Sequence, residues 1–200
     1  MPKKEIRIAN TNFELREDDE QKKIVGYAAL FNSPADENNG FIEKIAPGAF
    51  ANAIKRSDTR ALVNHNSEKV LGRLKAGTLT LSEDEKGLFY EVDPPNTTYA
   101  NDLMESMKRG DIDQSSFGFV VAKEEWDDSK DVPVRTIIEV DELFDVSPVT
   151  FPWYKNTESG LKSREKVFEE YKANSEENET KNADKLEIYK KKLKLRERND

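Results

Sequence analysis

The sequence holds one histidine, His65, and no cysteine. Any mechanism within one chain that needs an imidazole must therefore use His65. Thiolate nucleophiles, disulfides and Cys-ligated metals are excluded, and so is a zinc site built from several histidines. Two further groups could act with His65: the serine pair Ser115–Ser116, and the acids Asp141, Glu142 and Asp145. A serine hydroxyl is a weak nucleophile at neutral pH and needs a base within hydrogen-bond reach, for which histidine is the usual choice. A third group that fixes the imidazole tautomer completes such a set. By residue type alone the serines also fit a polar turn before a strand, and the acids mostly a solvated strand edge, with a buried carboxylate beside His65 as the alternative. Asp111 and Asp113 read as turn residues after a helix, and Asp18–Glu20 and Glu83–Glu85 as solvated turns.

The elements that must position these groups are mostly short strands. Ile24–Phe31 is apolar and β-prone, with Gly26 as a candidate bulge, and Phe41–Ile45 is a second strand. Pro47 opens a helix over Gly48–Arg56. Ala61–Val63 is a strand running into a polar loop, Asn64–Lys69, that carries His65. Val70–Leu74, Thr78–Ser82 and Leu88–Val92 read as a meander, with turns at Gly77 and Glu83–Gly87. A helix capped at Thr97 or Thr98 presents Tyr99, Leu103 and Met107 on one stripe and stops at Gly110. The strand Ser116–Ala122 follows it, then a polar connection Lys123–Asp131 and strands Val132–Val140 and Leu143–Val146.

Apolar residues make up 36% of the 200 residues and charged residues another 36%. The apolar share is low for a fully packed globule, and it thins after about Asn156. Up to Tyr154 there are 19 basic and 29 acidic residues, net −10; the remainder has 13 basic and 11 acidic, net +2, for a total of −8. An acidic body is a poor nucleic-acid binder, and no apolar run is long enough to span a membrane. The start, MPKKEIRIAN, lacks the apolar stretch of a secretory signal, which places the expected location in a cytoplasm. In the tail, Val167, Phe168 and Tyr171, and later Leu186, Tyr189 and Leu193, form two weak amphipathic patterns. Ser175–Asn182 between them reads as disordered.

Five segments, in order, resemble the prohead (capsid maturation) serine proteases of tailed phages, a family whose fold is related to that of herpesvirus assemblin. They are GYAALFNSP at Gly26–Pro34, FIEKIAPGAF at Phe41–Phe50, LVNHN at Leu62–Asn66 with LGRL at Leu71–Leu74, GLFYEVDPP leading through KRGDI to SSFGF at Ser115–Phe119, and VSPVTFPWY at Val146–Tyr154. The resemblance implies an α+β, mainly β fold with an antiparallel barrel-like core flanked by helices. It implies a protease domain over residues 1–155 and a charged helical or disordered tail over residues 156–200. It makes Ser116 the nucleophile, with Ser115 the second choice, His65 the base and Asp145 the third member. Assemblin uses a second histidine in that third place, and this chain has none. By analogy the oxyanion donors are the backbone N–H groups of Val149 and Thr150; Pro148 has no N–H. No metal or cofactor is implied. The implied substrates are the scaffolding protein, the major capsid protein and the protease itself, inside the procapsid in the host cytoplasm, with the protease absent or degraded in the mature virion. A homodimer is suggested by related viral proteases. The competing expectation is an inactive structural component of the procapsid. Seven basic residues against two acidic in Lys185–Arg198 fit either an acidic scaffold or a solvated tail.

Overall fold

The computed structural model describes residues 4–9, 14–17, 22–34, 40–150 and 165–175. The strands are β1 (Glu5–Ala9), β2 (Glu14–Glu17), β3 (Lys22–Leu30), β4 (Ile42–Ile45), β5 (Arg60–Val63), β6 (Asn66–Arg73), β7 (Leu79–Glu83), β8 (Gly87–Val92), β9 (Gln114–Asp127) and β10 (Val134–Val149). The helices among them are α1 (Ala51–Arg56) and α2 (Thr98–Lys108). One sheet has the order β1-β9-β10-β5-β6, with β4 also paired to β10. The other has the order β2-β3-β8-β7. The fold is α+β and mainly β. The first sheet mixes parallel and antiparallel pairs and the second is antiparallel throughout; among the described residues neither strand order closes into the barrel-like core expected.

Mixed pairing arises at β10. This strand is 16 residues long and carries β4 at its start and β5 at its end, both parallel to it on one edge. Parallel neighbours need a crossover, and α1 sits between β4 and β5 in the chain. The stretch of β10 between them still has polar backbone to satisfy. Val140 N–H donates to Ala49 C=O at 2.8 Å, Leu143 N–H to Ser57 Oγ at 3.1 Å, and Thr59 Oγ1 to Leu143 C=O at 2.8 Å.

The core lies on the face of β9 that carries Phe117 and Phe119. Their rings stack with centroids 4.8 Å apart, and Phe117 meets Phe50 edge-on at 5.6 Å. Leu143 and Val146 of β10, Leu88 and Tyr90 of β8, and Leu103 of α2 are buried in the same cluster.

Several boundaries differ from the sequence reading. The bulge in β3 falls between Tyr27 and Ala29, not at Gly26. Helix α1 starts at Ala51, because Gly48 at φ +84° forms a turn first. The expected meander is divided: β6 joins the first sheet, while β7 and β8 form a hairpin in the second. In α2 the fully buried positions are Ala100, Leu103 and Met104, with Tyr99 and Met107 at the margin of the stripe. The polar connection is shorter than expected because β9 runs on to Asp127, and the two last strands are one. Strands β1 and β2 were not anticipated. In the tail, residues 165–175 are helical, with Phe168 and Tyr171 stacked 6.4 Å apart and Lys172 Nζ 4.2 Å from the Phe168 ring centre. Residues 176–182 and the Leu186, Tyr189, Leu193 pattern lie outside the described residues.

Candidate active site

Strand β9 alternates faces, as a strand must. Phe117 and Phe119 point into the core, and so does Ser115, whose Oγ lies 2.7 Å from the Tyr90 hydroxyl. Burial pushes the Tyr90 phenol well above its ordinary range. Ser116 and Gly118 face the other way. Ser116 Oγ lies 2.7 Å from His65 Nε2.

His65 arrives on a turn tighter than the loop expected. Strands β5 and β6 pair up to Val63 opposite Asn66, which leaves only Asn64 and His65 between them. Both have positive φ, +52° and +57°, as the central residues of a type I′ hairpin turn require. Asn and His are among the few non-glycine residues enriched there, and such backbone costs about 1–3 kcal/mol per residue unless its surroundings hold it. The end of β10 does the holding. Asn64 N–H donates to Pro148 C=O at 3.0 Å, its Nδ2 donates to Thr150 Oγ1 at 3.1 Å, and Thr150 N–H donates to Asn64 Oδ1 at 2.8 Å.

Asp145 is aimed by a bulge. Leu143 pairs with Phe119, yet Asp145 pairs with Gly118 instead of Phe117, because Phe144 is an extra residue. Bulges re-aim side chains in this way. The Asp145 carboxylate, with its residue only 2% exposed, receives His65 Nδ1 on Oδ2. Ser147 Oγ donates to the same oxygen at 2.8 Å, and Lys4 Nζ lies 3.3 Å from Oδ1. Burial alone would raise the Asp145 pKa; the hydrogen bond and charge of His65, then Ser147 and Lys4, outweigh it and hold the carboxyl below its ordinary value. Gly118 makes room for this group, since a Cβ there would sit 2.7 Å from Asp145 Oδ1.

The structure thus brings Ser116, His65 and Asp145 into one hydrogen-bonded series and turns Ser115 away from it. Of the two expected oxyanion donors, one already has a partner. Thr150 N–H is occupied by the Asn64 side chain, so it is not an open donor in this state. Val149 sits in β10 opposite Gln114 with its side chain buried. The sequence reading missed Asn64, Gly118, Ser147 and Lys4 as supports; Asn64 and Gly118 stood inside the motifs LVNHN and SSFGF, while Lys4 had no signal. Among the described residues no group of three or more His, Asp and Glu could hold a metal ion, and no helix is long and apolar enough to cross a membrane.

A family model described as the caudovirus prohead serine protease matches residues 11–174. The chain belongs to that family. It is 31% identical over 169 residues to the prohead protease of Enterobacteria phage HK97, covering 82% of this chain and 69% of the phage protein. No solved structure matches. As a prohead serine protease, the chain is a peptide-bond hydrolase of phage capsid maturation, acting in the procapsid within the host cell.

Proposed function

We propose that this prohead protease cleaves the scaffolding protein, the major capsid precursor and itself by an acyl-enzyme mechanism carried by Ser116, His65 and Asp145. Ser116 Oγ attacks the scissile carbonyl while His65 Nε2 takes its proton. His65 returns that proton to the leaving amine, then activates the water that releases the acyl group. Asp145 holds the imidazole with Nδ1 protonated, so that Nε2 is free to accept. The observation that carries this reading is His65 bridging Ser116 and Asp145, partners 51 and 80 residues away in sequence. Residues 1–155 are the protease domain and residues 156–200 a tail that recruits it to the procapsid. A homodimer, the barrel-like relation to assemblin and loss of the protease from the virion belong to the same reading.

Coexpression with the phage capsid and scaffold proteins, followed by intact mass, tests it. Ser116→Ala and His65→Ala are expected to abolish cleavage, and Ser115→Ala to spare it. Cleavage surviving in Ser116→Ala would remove the nucleophile assignment. Deleting residues 156–200 is expected to leave cleavage in trans intact and to empty procapsids of protease; normal packaging of the shortened chain would refute a recruiting tail.

A further inference from the structure

Ser116 is fully buried, and what covers it on one side is β1. This strand forms the edge of its sheet and pairs antiparallel with β9, with Ile8 opposite Ser116. Ser116 Oγ donates to Arg7 C=O at 2.8 Å. Thus a peptide carbonyl already lies against the hydroxyl proposed as nucleophile, on an extended strand. A peptide added to a sheet edge binds in just this manner, with main-chain bonds for affinity and alternate side chains for specificity.

The contact is not productive. One hydroxyl proton cannot go both to His65 Nε2 and to Arg7 C=O. A donor to a carbonyl oxygen approaches along its lone pairs, whereas attack requires Oγ over the carbon. With β1 in place, no second carbonyl can reach Ser116 from this edge.

The alternate side chains of β1 enter a buried polar site on the opposite face of the sheet. Arg7 makes two bonds to the Glu43 carboxylate, Nε to Oε1 and Nη2 to Oε2 at 2.9 Å. Glu5 accepts two from Arg135, at 2.8 and 2.9 Å, and the two forks are cross-linked, Arg7 Nη2 donating also to Glu5 Oε2 at 2.5 Å and Arg135 Nη1 to Glu43 Oε2 at 2.7 Å. All four residues are at most 6% exposed. Paired forks of this type discriminate between side chains, because a mismatched one leaves Glu43 with Arg135 as its remaining cation and Glu43 Oε1 without the bond that Arg7 Nε gives it.

We propose that the β9 edge beside Ser116 is the substrate-binding edge, that β1 occupies it in the free protein, and that it is built for segments with a basic residue before the scissile bond and an acidic residue two positions earlier. Glu43 selects the basic side chain and Arg135 the acidic one. Substrate enters by exchanging with β1 and restoring the same two ion pairs. This rests on Ser116 being the nucleophile.

The test labels the full-length protein with a fluorophosphonate probe, locates the label by peptide mass mapping, and compares wild type with Arg7→Ala. Loosening β1 is expected to raise the labelling rate at Ser116 at least about tenfold, since reactivity scales with the uncovered fraction. A synthetic peptide of residues 3–10, KKEIRIAN, is expected to slow that labelling again. In parallel, wild type is given fluorogenic peptides of the form Glu-x-Arg and Glu-x-Gln, with the last residue before the bond. It should prefer Arg, and Glu43→Gln should shrink the ratio of kcat/KM between the Arg and Gln peptides about 100-fold. Equal labelling of folded wild type and Arg7→Ala, or equal cleavage of the two peptides by wild type, overturns the inference while the nucleophile stands. If Arg7→Ala does not fold, the wild-type peptide preference decides alone. Label absent from Ser116 in both proteins means that the nucleophile reading has failed, and this inference with it.

Discussion

Ser116 and Ser115 are neighbours in sequence and have different chemical surroundings, because a strand sends consecutive side chains to opposite faces. Ser115 meets a phenol in the core; Ser116 meets an imidazole. Asp145 is the residue whose removal should separate chemistry from packing. In Asp145→Asn the amide can still bond His65 but favours the wrong tautomer, so kcat should fall by about 10⁴ with the fold kept. A loss under about tenfold would remove Asp145 from the mechanism. Its depressed pKa also has a sign. Asp145 contributes stability in full above its ordinary value of 3.8, and that contribution disappears as pH falls through the lower folded value. Urea titrations should therefore show a shallower acid loss in Asp145→Asn than in wild type below about pH 4.

At the scale of elements, the site depends on two irregularities. One is the bulge at Phe144, which selects the register that puts Asp145 over Gly118 and Ser147 opposite Ser116. The other is the two-residue turn of the β5–β6 hairpin, which presents His65 at its tip. That turn is a strained pair of residues tied to the end of β10 by Asn64. Asn64→Gly keeps the positive φ and removes both side-chain links to Thr150. Small misplacement of a reacting group costs about 10²-fold, so kcat should fall by that order while KM changes little. An equal rise in KM would mean that Asn64 contacts substrate instead of positioning His65. The same substitution frees Thr150 N–H.

At the scale of the whole molecule, a charge network, buried except at Glu124, joins four strands of one sheet. Glu5 and Arg7 come from β1, Glu43 from β4, Glu124 from β9 and Arg135 from β10. Burial would lower the Arg135 pKa, but hydrogen bonding to Glu5 and the charges of Glu43, Glu5 and Glu124 raise it well beyond its ordinary value. Removing one partner from such a network leaves the others desolvated. Arg135→Met should destabilise the protein by about 3–5 kcal/mol in urea unfolding. A change near zero would show that the carboxylates find water or other partners. The network also links the N-terminal strand to the body, which couples global stability to the covering of Ser116.

Residue chemistry was legible without coordinates. One histidine, no cysteine and a serine pair in SSFGF restricted the mechanism, because imidazole could come from a single position. The strands around Ile24, Leu88 and Ser116 and the helix ending at Gly110 were also readable, since period-2 and period-3.6 patterns and glycine stops are local signals. Tertiary structure decided the rest. Which acid meets His65 depends on a bulge, and a one-residue register change has no local signature. The polar run after Asn64 became strand β6 because its edge pairs with β5, a contact that outweighs weak local preference. The EIRIA segment of β1 is too short and too charged to stand out as a strand. Its place against Ser116 comes from buried ion pairs with Glu43 and Arg135, residues that lie 36 and about 130 positions away in sequence and that only folding brings together.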